Sequence, residues 1–306
     1  MNILITGGAG YVGTELVRQL VQKDEIDRIV VYDNLSAGHF NFFLGKEYNN
    51  SKRIQLIEGE ILDSRNLKKS LNGMDAIVHL AAKVTTPFAN TDPHFYEQVN
   101  HWGTAEVVYA AEESKIGKFI YLSSASVYGA SPDLTTESTA PTPNTFYGIS
   151  KLRGEEHVNR LMKNKNGVIL RGGNVYGYSK SMRFDAVINR FVFDANFTNR
   201  IQIFGNGKQS RAFIHVDHIV DVLAKVLIEK VPNGTYNVVD KNLQILDLVD
   251  ILKEIFPSLE FIFSNQHMNL RELKIDKASK LFEFIDRFEE GDLKTELLNF
   301  KHRFSF

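Results

Sequence analysis

Short apolar runs alternate with stretches of helical period through the first half of the chain. The runs Ile3–Thr6, Arg28–Asp33, Ile54–Glu58, Ala76–Leu80, Lys118–Ser123 and Val168–Arg171 are mostly continuous rather than alternating. Continuous apolar runs are what parallel strands buried on both faces require. Segments of helical period predict helices near Val12–Gln22, Asn66–Leu71, Gln98–Glu113 and Tyr147–Met162. Strands and helices in alternation predict an α/β protein with a doubly wound parallel sheet.

After Gly177 the rhythm changes. The pattern predicts a helix over Arg183–Ala195, a strand at Ile201–Phe204, a turn at Gly205-Asn-Gly207 and a strand at Ala212–His215. A helix near Asp217–Ile228 and a buried strand at Tyr236–Val239 follow. The stretch Leu246–Phe306 mixes short helices with one strand, Leu259–Phe263. We therefore expect residues 1–177 to form a dinucleotide-binding domain that also receives parts of 209–240. Residues 178–306 then form a smaller C-terminal α/β substrate-binding lobe over the sheet's carboxyl edge, with the chain crossing between the two more than once.

The chain has 306 residues, 43% hydrophobic and 24% charged, which is ordinary globular material. Its formal charge of −1 gives no electrostatic basis for a nucleic-acid or anionic-membrane partner. There is no cysteine, so disulfides and thiolate metal sites are excluded, as suits a reducing cytosol. The N-terminal stretch Asn2-Ile-Leu-Ile-Thr6 carries no basic leader, and no apolar run is long enough to span a membrane. No cluster of His, Asp or Glu has metal-ligand spacing, and no metal is assigned.

Gly7-Gly-Ala-Gly10-Tyr11-Val12-Gly13 follows the first strand and opens the first helix, the context that makes a glycine motif a phosphate-binding site. Gly7 permits the tight turn, Gly10 the approach of backbone amides to a pyrophosphate, and Gly13 close packing of helix on sheet. The helix N-terminus adds free N–H groups and partial positive charge. The glycine spacing differs from the Gly-x-Gly-x-x-Gly of the standard dinucleotide fold. Asp33 ends the second strand twenty residues after Gly13. An acid there accepts hydrogen bonds from the adenosine ribose and repels a 2′-phosphate. Asn34 follows it rather than arginine, which favours NAD over NADP. Glu60-Ile61 is placed to flank the adenine, or else Glu60 is a solvated loop acid. His79-Leu80-Ala81-Ala82 ends the fourth strand with small residues that let the backbone pass close to a cofactor, and His79 itself reads as a packed strand histidine.

Tyr147-Gly-Ile-Ser-Lys151 places a phenol and an ammonium four residues apart on one helix face. A phenol ionises near pH 10, and bringing that to roughly 7 takes about 4 kcal/mol of selective stabilisation of the phenolate. A fixed cation nearby is the usual source. Ser124 lies just past the carboxyl end of the fifth strand, where an open α/β sheet places its ligands.

Gly7-x-x-Gly10-x-x-Gly13, Asp33, His79-Leu-Ala-Ala82, Asn100, Ser123-Ser-Ala-Ser126-Val-Tyr-Gly129 and Tyr147-x-x-x-Lys151 occur in one order. That order resembles the extended short-chain dehydrogenase/reductases, especially the NAD-dependent nucleotide-sugar epimerases and dehydratases of UDP-glucose 4-epimerase type, with a Rossmann-type domain. The resemblance covers nearly the whole chain. It implies that Tyr147 is the acid/base, that Lys151 holds the nicotinamide ribose and lowers the tyrosine's pKa, and that Ser124, with Ser126 nearby, meets the sugar. Asn100 matches the family's structural asparagine beside the cofactor. Asn174, in Arg171-Gly-Gly-Asn174-Val-Tyr-Gly177, resembles the residue that contacts the substrate diphosphate. Arg211 resembles a phosphate-binding arginine, and Arg271 a second cationic contact. The 4,6-dehydratases of the family carry an acid after the fifth strand. Here that segment is Ser124-Ala125-Ser126, which disfavours a dehydratase. The resemblance thus implies a cytoplasmic C4 epimerase of a nucleotide-diphosphate sugar, with a 4-keto reductase or dehydrogenase of the same family as the alternative. A non-catalytic NAD-binding scaffold is a third, remote one. It also implies a homodimer paired through the helices around Gln98–Glu113 and Tyr147–Met162.

Overall fold

The structure is a computed structural model that describes residues 1–38, 40–44, 51–84, 92–131, 133–265 and 272–306. Seven parallel strands form the main sheet: β1 (Asn2–Thr6), β2 (Arg28–Asp33), β3 (Ile54–Glu58), β4 (Ala76–His79), β5 (Lys118–Ser124), β6 (Asn166–Gly172) and β7 (Gly234–Val238). Their spatial order is β3-β2-β1-β4-β5-β6-β7. The chain builds outward from β1 in one direction, then returns past it and builds in the other. The reversal falls between β1 and β4, the switch point where such sheets bind ligands beyond their carboxyl ends. Register aligns Thr6 with both Tyr32 and His79, and Ser124 with Gly172, so these strands end at one level.

Helices cover both faces: α1 (Tyr11–Leu20), α2 (Ser64–Ser70), α3 (Thr104–Glu113), α4 (Phe146–Leu161), α5 (Val187–Thr198), α6 (Val216–Ile228), α7 (Ile245–Ile255) and α8 (Leu293–Lys301). Alternate residues of each strand serve opposite faces. Ile3, Ile5 and Val31 join Leu16 and Val17 of α1 and Val220 and Leu223 of α6 in one core. Leu4, Val30 and Ile77 join Val107 and Val108 of α3 and Val158 of α4 in the other. Burying such a side chain fully contributes about 1.5–3 kcal/mol. Both cores are apolar on a strand's two sides, which is why the strand runs read as continuous.

A third core holds Ile188 and Val192 of α5, Ile201 and Ile203, Leu248 and Leu252 of α7, and Leu297 of α8. Beside it the strand Ser210–His215 pairs with Lys241–Gln244 and, in parallel, with Asn174–Tyr176. Residues 216–238 return to the main sheet as α6 and β7.

Two predicted helices are corrected. The helix expected from Arg183 begins at Val187, because Asn189 ties the approach down: its amide donates to the Arg183 carbonyl at 3.0 Å and accepts from Gly177 N–H at 2.9 Å. Arg183, Phe184 and Asp185 therefore lie in a loop. The helix expected over Gln98–Glu113 begins earlier, with an α-helical turn at Pro93–Tyr96, and passes through a π-helix, Glu97–Gly103, before α3. The Thr104 hydroxyl bonds back to the Asn100 carbonyl at 2.7 Å, and a Cβ on Gly103 would collide with Ile61. Wide turns of this kind recur at functional sites.

His218, Asp240 and Glu296 bring ligand-type atoms within 4.8 Å of one another. The Lys241 ammonium stands among them, 3.7 Å from Asp240 and 3.2 Å from Glu296, and supplies the cation.

Candidate active site

The carboxyl edge of the sheet frames a cavity of about 600 Å³. One end is built by the turn between β1 and α1. Gly7 is left-handed there (φ +69°), and a Cβ on it would stand 2.6 Å from Ala81 N. Gly10 caps α1 without any side-chain hydrogen bond. The first N–H groups of the helix therefore face the cavity edge free of a side-chain acceptor, as an anion requires. Asp33 closes this end. Its carboxylate accepts from Ala9 N–H at 3.0 Å and Leu35 N–H at 2.8 Å, which fixes it at the tip of β2. Glu60 is no free loop acid: it accepts from the Asn34 amide at 2.7 Å and from Ile61 N–H at 2.9 Å, joining two segments of the wall.

The wall beyond β4 is Leu80, Ala81 and Ala82. Leu80 N–H donates to the Thr6 carbonyl at 3.0 Å, which keeps this stretch against β1. Asn100 stands behind the wall, fully buried. Its side chain accepts from Lys83 N–H at 2.8 Å and donates to the Lys83 carbonyl at 3.0 Å and the Ser150 hydroxyl at 3.1 Å. It thus couples the cofactor wall to α4 without lining the cavity. His79 is a packed strand histidine, bonded to Thr6 at 2.6 Å and Thr104 at 2.9 Å, and burial pushes its imidazole down to about 3.

At the other end Ser124, Ser126, Tyr147 and Lys151 meet. Thr145 caps α4, accepting from Gly148 N–H at 3.0 Å, and so sets where the Tyr147–Lys151 face begins. Burial raises the Tyr147 phenol above its usual range, while the Ser124 hydroxyl and the charge of Arg183 pull it the other way. The resemblance led us to expect Lys151 to lower it. In the structure Lys151 donates instead to the Leu122 carbonyl at 2.8 Å and lies over the Tyr121 ring at 4.1 Å. Burial pushes this ammonium down to about 7, against the pull of Glu155.

The cavity brings together Gly7, Gly10, Tyr11, Val12, Gly13, Asp33, Asn34, Glu60, Ile61, Leu80, Ala81, Ala82, Ser124, Ser126, Tyr147, Lys151 and Asn174. Arg211 is not among its lining residues. It sits partly buried on the strand Ser210–His215, its guanidinium without an ion pair or hydrogen bond to the described residues, and burial lowers its pKa. Arg271 lies outside the described residues. The sequence reading missed Arg183, Phe184 and Asp185, which line the cavity beside Tyr147. Arg183 makes a two-bond fork on Asp185, at 2.9 and 3.2 Å. The apolar run of α5 begins only at Ala186-Val187, and that late start was the available signal.

The model of the NAD dependent epimerase/dehydratase family matches residues 3–239. The chain belongs to that family. It is 28% identical to human dTDP-D-glucose 4,6-dehydratase over 274 residues, covering 87% of this chain and 76% of that protein. It is 32% identical to the uncharacterized UDP-glucose epimerase YtcB of Bacillus subtilis, covering 74% and 72%. Among solved structures, it is similar to UDP-glucuronic acid 4-epimerase from Bacillus cereus in complex with NAD, with a TM-score of 0.84, 28% identity and coverage of 97% of this chain and 94% of that one. The glycine cradle, the unblocked helix N-terminus and the fixed Asp33 fit the cofactor on which the family depends, NAD. Among the described residues, no helix is long and apolar enough to cross a membrane.

Proposed function

We propose that the protein is a nucleotide-sugar 4-epimerase. The observation that carries this reading is the grouping of Ser124, Tyr147 and Lys151 at the sugar end of the NAD cavity with no acid in the segment after β5. The carboxylates on the described cavity wall are Asp33, Glu60 and Asp185. The first two close the adenosine end, and Asp185 is held by Arg183. A dehydratase needs a free acid beside the sugar, and none of these serves.

Tyr147 takes the proton from the sugar 4-hydroxyl, with Ser124 bridging, and returns it later. Its phenol must come down to do so. Ser124 and Arg183 already act in that direction, and Lys151, one helical turn on and held on the Leu122 carbonyl, would have to turn toward the phenol to add its charge. When bound, NAD would supply the acceptor for the C4 hydride and then its donor to the other face of the turned 4-keto sugar, so the cofactor would end unchanged. Gly7, Gly10 and the start of α1 would hold its pyrophosphate, and Asp33 its adenosine ribose. Asn174 lines the cavity where the substrate diphosphate would lie, and Arg211, on the neighbouring strand, offers a guanidinium with no partner among the described residues.

The test is incubation of the purified protein and NAD with UDP-, dTDP-, GDP- and CDP-sugars, followed by NMR of the products and absorbance at 340 nm. Interconversion of C4 epimers with flat absorbance is expected. A stoichiometric absorbance change would instead identify a reductase or dehydrogenase, and no epimer from any of them sinks the reading.

We also read the chain as a homodimer. The π-helix, α3 and α4 each expose a large apolar side chain: Trp102 is 56% exposed, Tyr109 40% and Phe146 39%. Analytical ultracentrifugation should give twice the chain mass, and Trp102→Glu should reduce it to one; a monomeric parent removes the proposal.

A further inference from the structure

Glu155 has no part in the reaction as described, yet both its oxygens are engaged in the interior. It is 1% exposed. One oxygen accepts from the Ser123 hydroxyl at 2.5 Å and Arg171 Nε at 3.0 Å, and the other from Arg171 Nη2 at 2.6 Å. Arg171, on β6, is itself 6% exposed and stacks over the Tyr128 ring at 4.7 Å. A buried ion pair is seldom more stable than an apolar replacement, because desolvation offsets the attraction. Stability alone therefore gives a weak reason for the pair.

Its position supplies a better one. Glu155 lies four residues after Lys151 on α4, on the same helix face. Lys151 is 2% exposed, and the Leu122 carbonyl of β5 is its single hydrogen-bond acceptor among the described residues. The other groups around it do not supply negative charge. The Tyr121 ring of β5 lies under it, and the phenol above its usual range is neutral. His79 of β4 is neutral and senses the lysine's charge. On α4 itself Tyr147 is held protonated by burial, and Ser150 is tied to Asn100 of the π-helix. Arg171 is forked on Glu155 and donates no hydrogen bond to the described groups that touch the ammonium. Among the described residues, Glu155 is the one carboxylate whose charge acts on the ammonium.

We propose that Glu155 is a positioning residue for Lys151: the Arg171 fork and the Ser123 hydroxyl hold its carboxylate in place one turn behind the lysine, and that fixed negative charge keeps the ammonium protonated in an interior that would otherwise neutralise it. The inference rests on the reading of Lys151 as part of the catalytic group only for its consequence in turnover, not for the charge itself. Removing Glu155 leaves burial unopposed. The lysine then loses its proton at a lower pH, and the share of it that is charged at neutral pH falls.

The measurement is a pH titration of the Lys151 ε-carbon by NMR in the full chain labelled with 13Cε-lysine, the signal assigned by its loss in Lys151→Met. Glu155→Gln leaves the Arg171 charge buried and unpaired, so the double variant Glu155→Gln/Arg171→Met, with both charges gone, is measured beside it. In whichever variant folds, the midpoint should fall by about one unit or more, a tenfold loss of proton affinity. An unchanged midpoint in the folded double variant overturns the proposal. The pH profile of kcat/KM separates this from the functional reading. If the midpoint falls and the alkaline limb of activity moves down with it, both stand. If the midpoint falls while the profile stays, the charge-holding role of Glu155 stands and the catalytic role of Lys151 is what fails.

Discussion

The two ends of the cavity are built on different principles. The cofactor end is made largely of backbone: a left-handed glycine, the free amides of α1, small residues after β4, and the carboxylates of Asp33 and Glu60, three of whose four oxygens accept from main-chain N–H groups. The sugar end is made of side chains delivered from separate stretches of chain, Ser124 at the end of β5, Tyr147 and Lys151 on α4, Asn174 after β6 and Arg183 before α5. Backbone geometry tolerates little change, because an added Cβ strikes main chain. Side chains can be exchanged while the fold survives. The comparison therefore predicts that the cofactor end fails structurally, and the sugar end chemically.

The largest effect tests the chemical half. Tyr147→Phe removes the hydroxyl but keeps the ring packed edge-on against Tyr96, 6.2 Å between centroids. Loss of a general base costs about 10²–10⁴-fold in rate. We expect kcat to fall by that range with NAD affinity, read by fluorescence titration, and melting temperature nearly unchanged. A variant that keeps half its activity would remove Tyr147 from the mechanism; one that loses NAD would erase the distinction between the two ends.

Gly7→Ala tests the structural half. The substitution places a Cβ in a left-handed residue and against the Ala81 backbone, 2.6 Å away from its nitrogen. The conformation alone costs about 1–3 kcal/mol. NAD affinity should fall about tenfold or more, and the melting temperature should drop even with no cofactor added. Full stability with weak NAD binding would show that the turn serves the ligand and not the sheet.

The same contrast decides what was legible in the sequence. The inner strands of the main sheet could be read because burial on both faces makes their runs continuous, and β2 falls on its predicted bounds. β3, at the sheet's edge and nowhere fully buried, also falls on its bounds, but as a mixture of exposed and half-buried residues. The glycine turn was legible because its spacing records a backbone shape. Tyr147 and Lys151 were legible as a spacing on one helix, but the direction in which Lys151 points was not. That depends on the Leu122 carbonyl and the Tyr121 ring, which reach it only through sheet packing. Arg183 was hidden because the loop that carries it is fixed by Asn189, whose two hydrogen bonds have no local sequence signature. Glu155 was hidden because its partners Ser123 and Arg171 come from two neighbouring strands.

Arg211 gives the smallest effect and the most discriminating one. It stands away from the described cavity wall, with no anionic partner among the described residues, and burial lowers its affinity for its proton. A cation in that state costs the free protein stability, since a buried charge is tolerated only when paired. A substrate diphosphate would complete it, with charge-assisted bonds of about 1.5–3 kcal/mol. Arg211→Met keeps the length of the stem and removes the charge. It should raise KM for the nucleotide sugar about tenfold with kcat held, and at the same time raise the melting temperature of the ligand-free protein. A guanidinium that served packing would give the opposite sign in the melt, and one with no ligand role would leave KM where it was. Only a cation kept for an absent anion moves the two readings in opposite senses, so this one variant tells a binding residue at the sugar end from the structural glycine at the other.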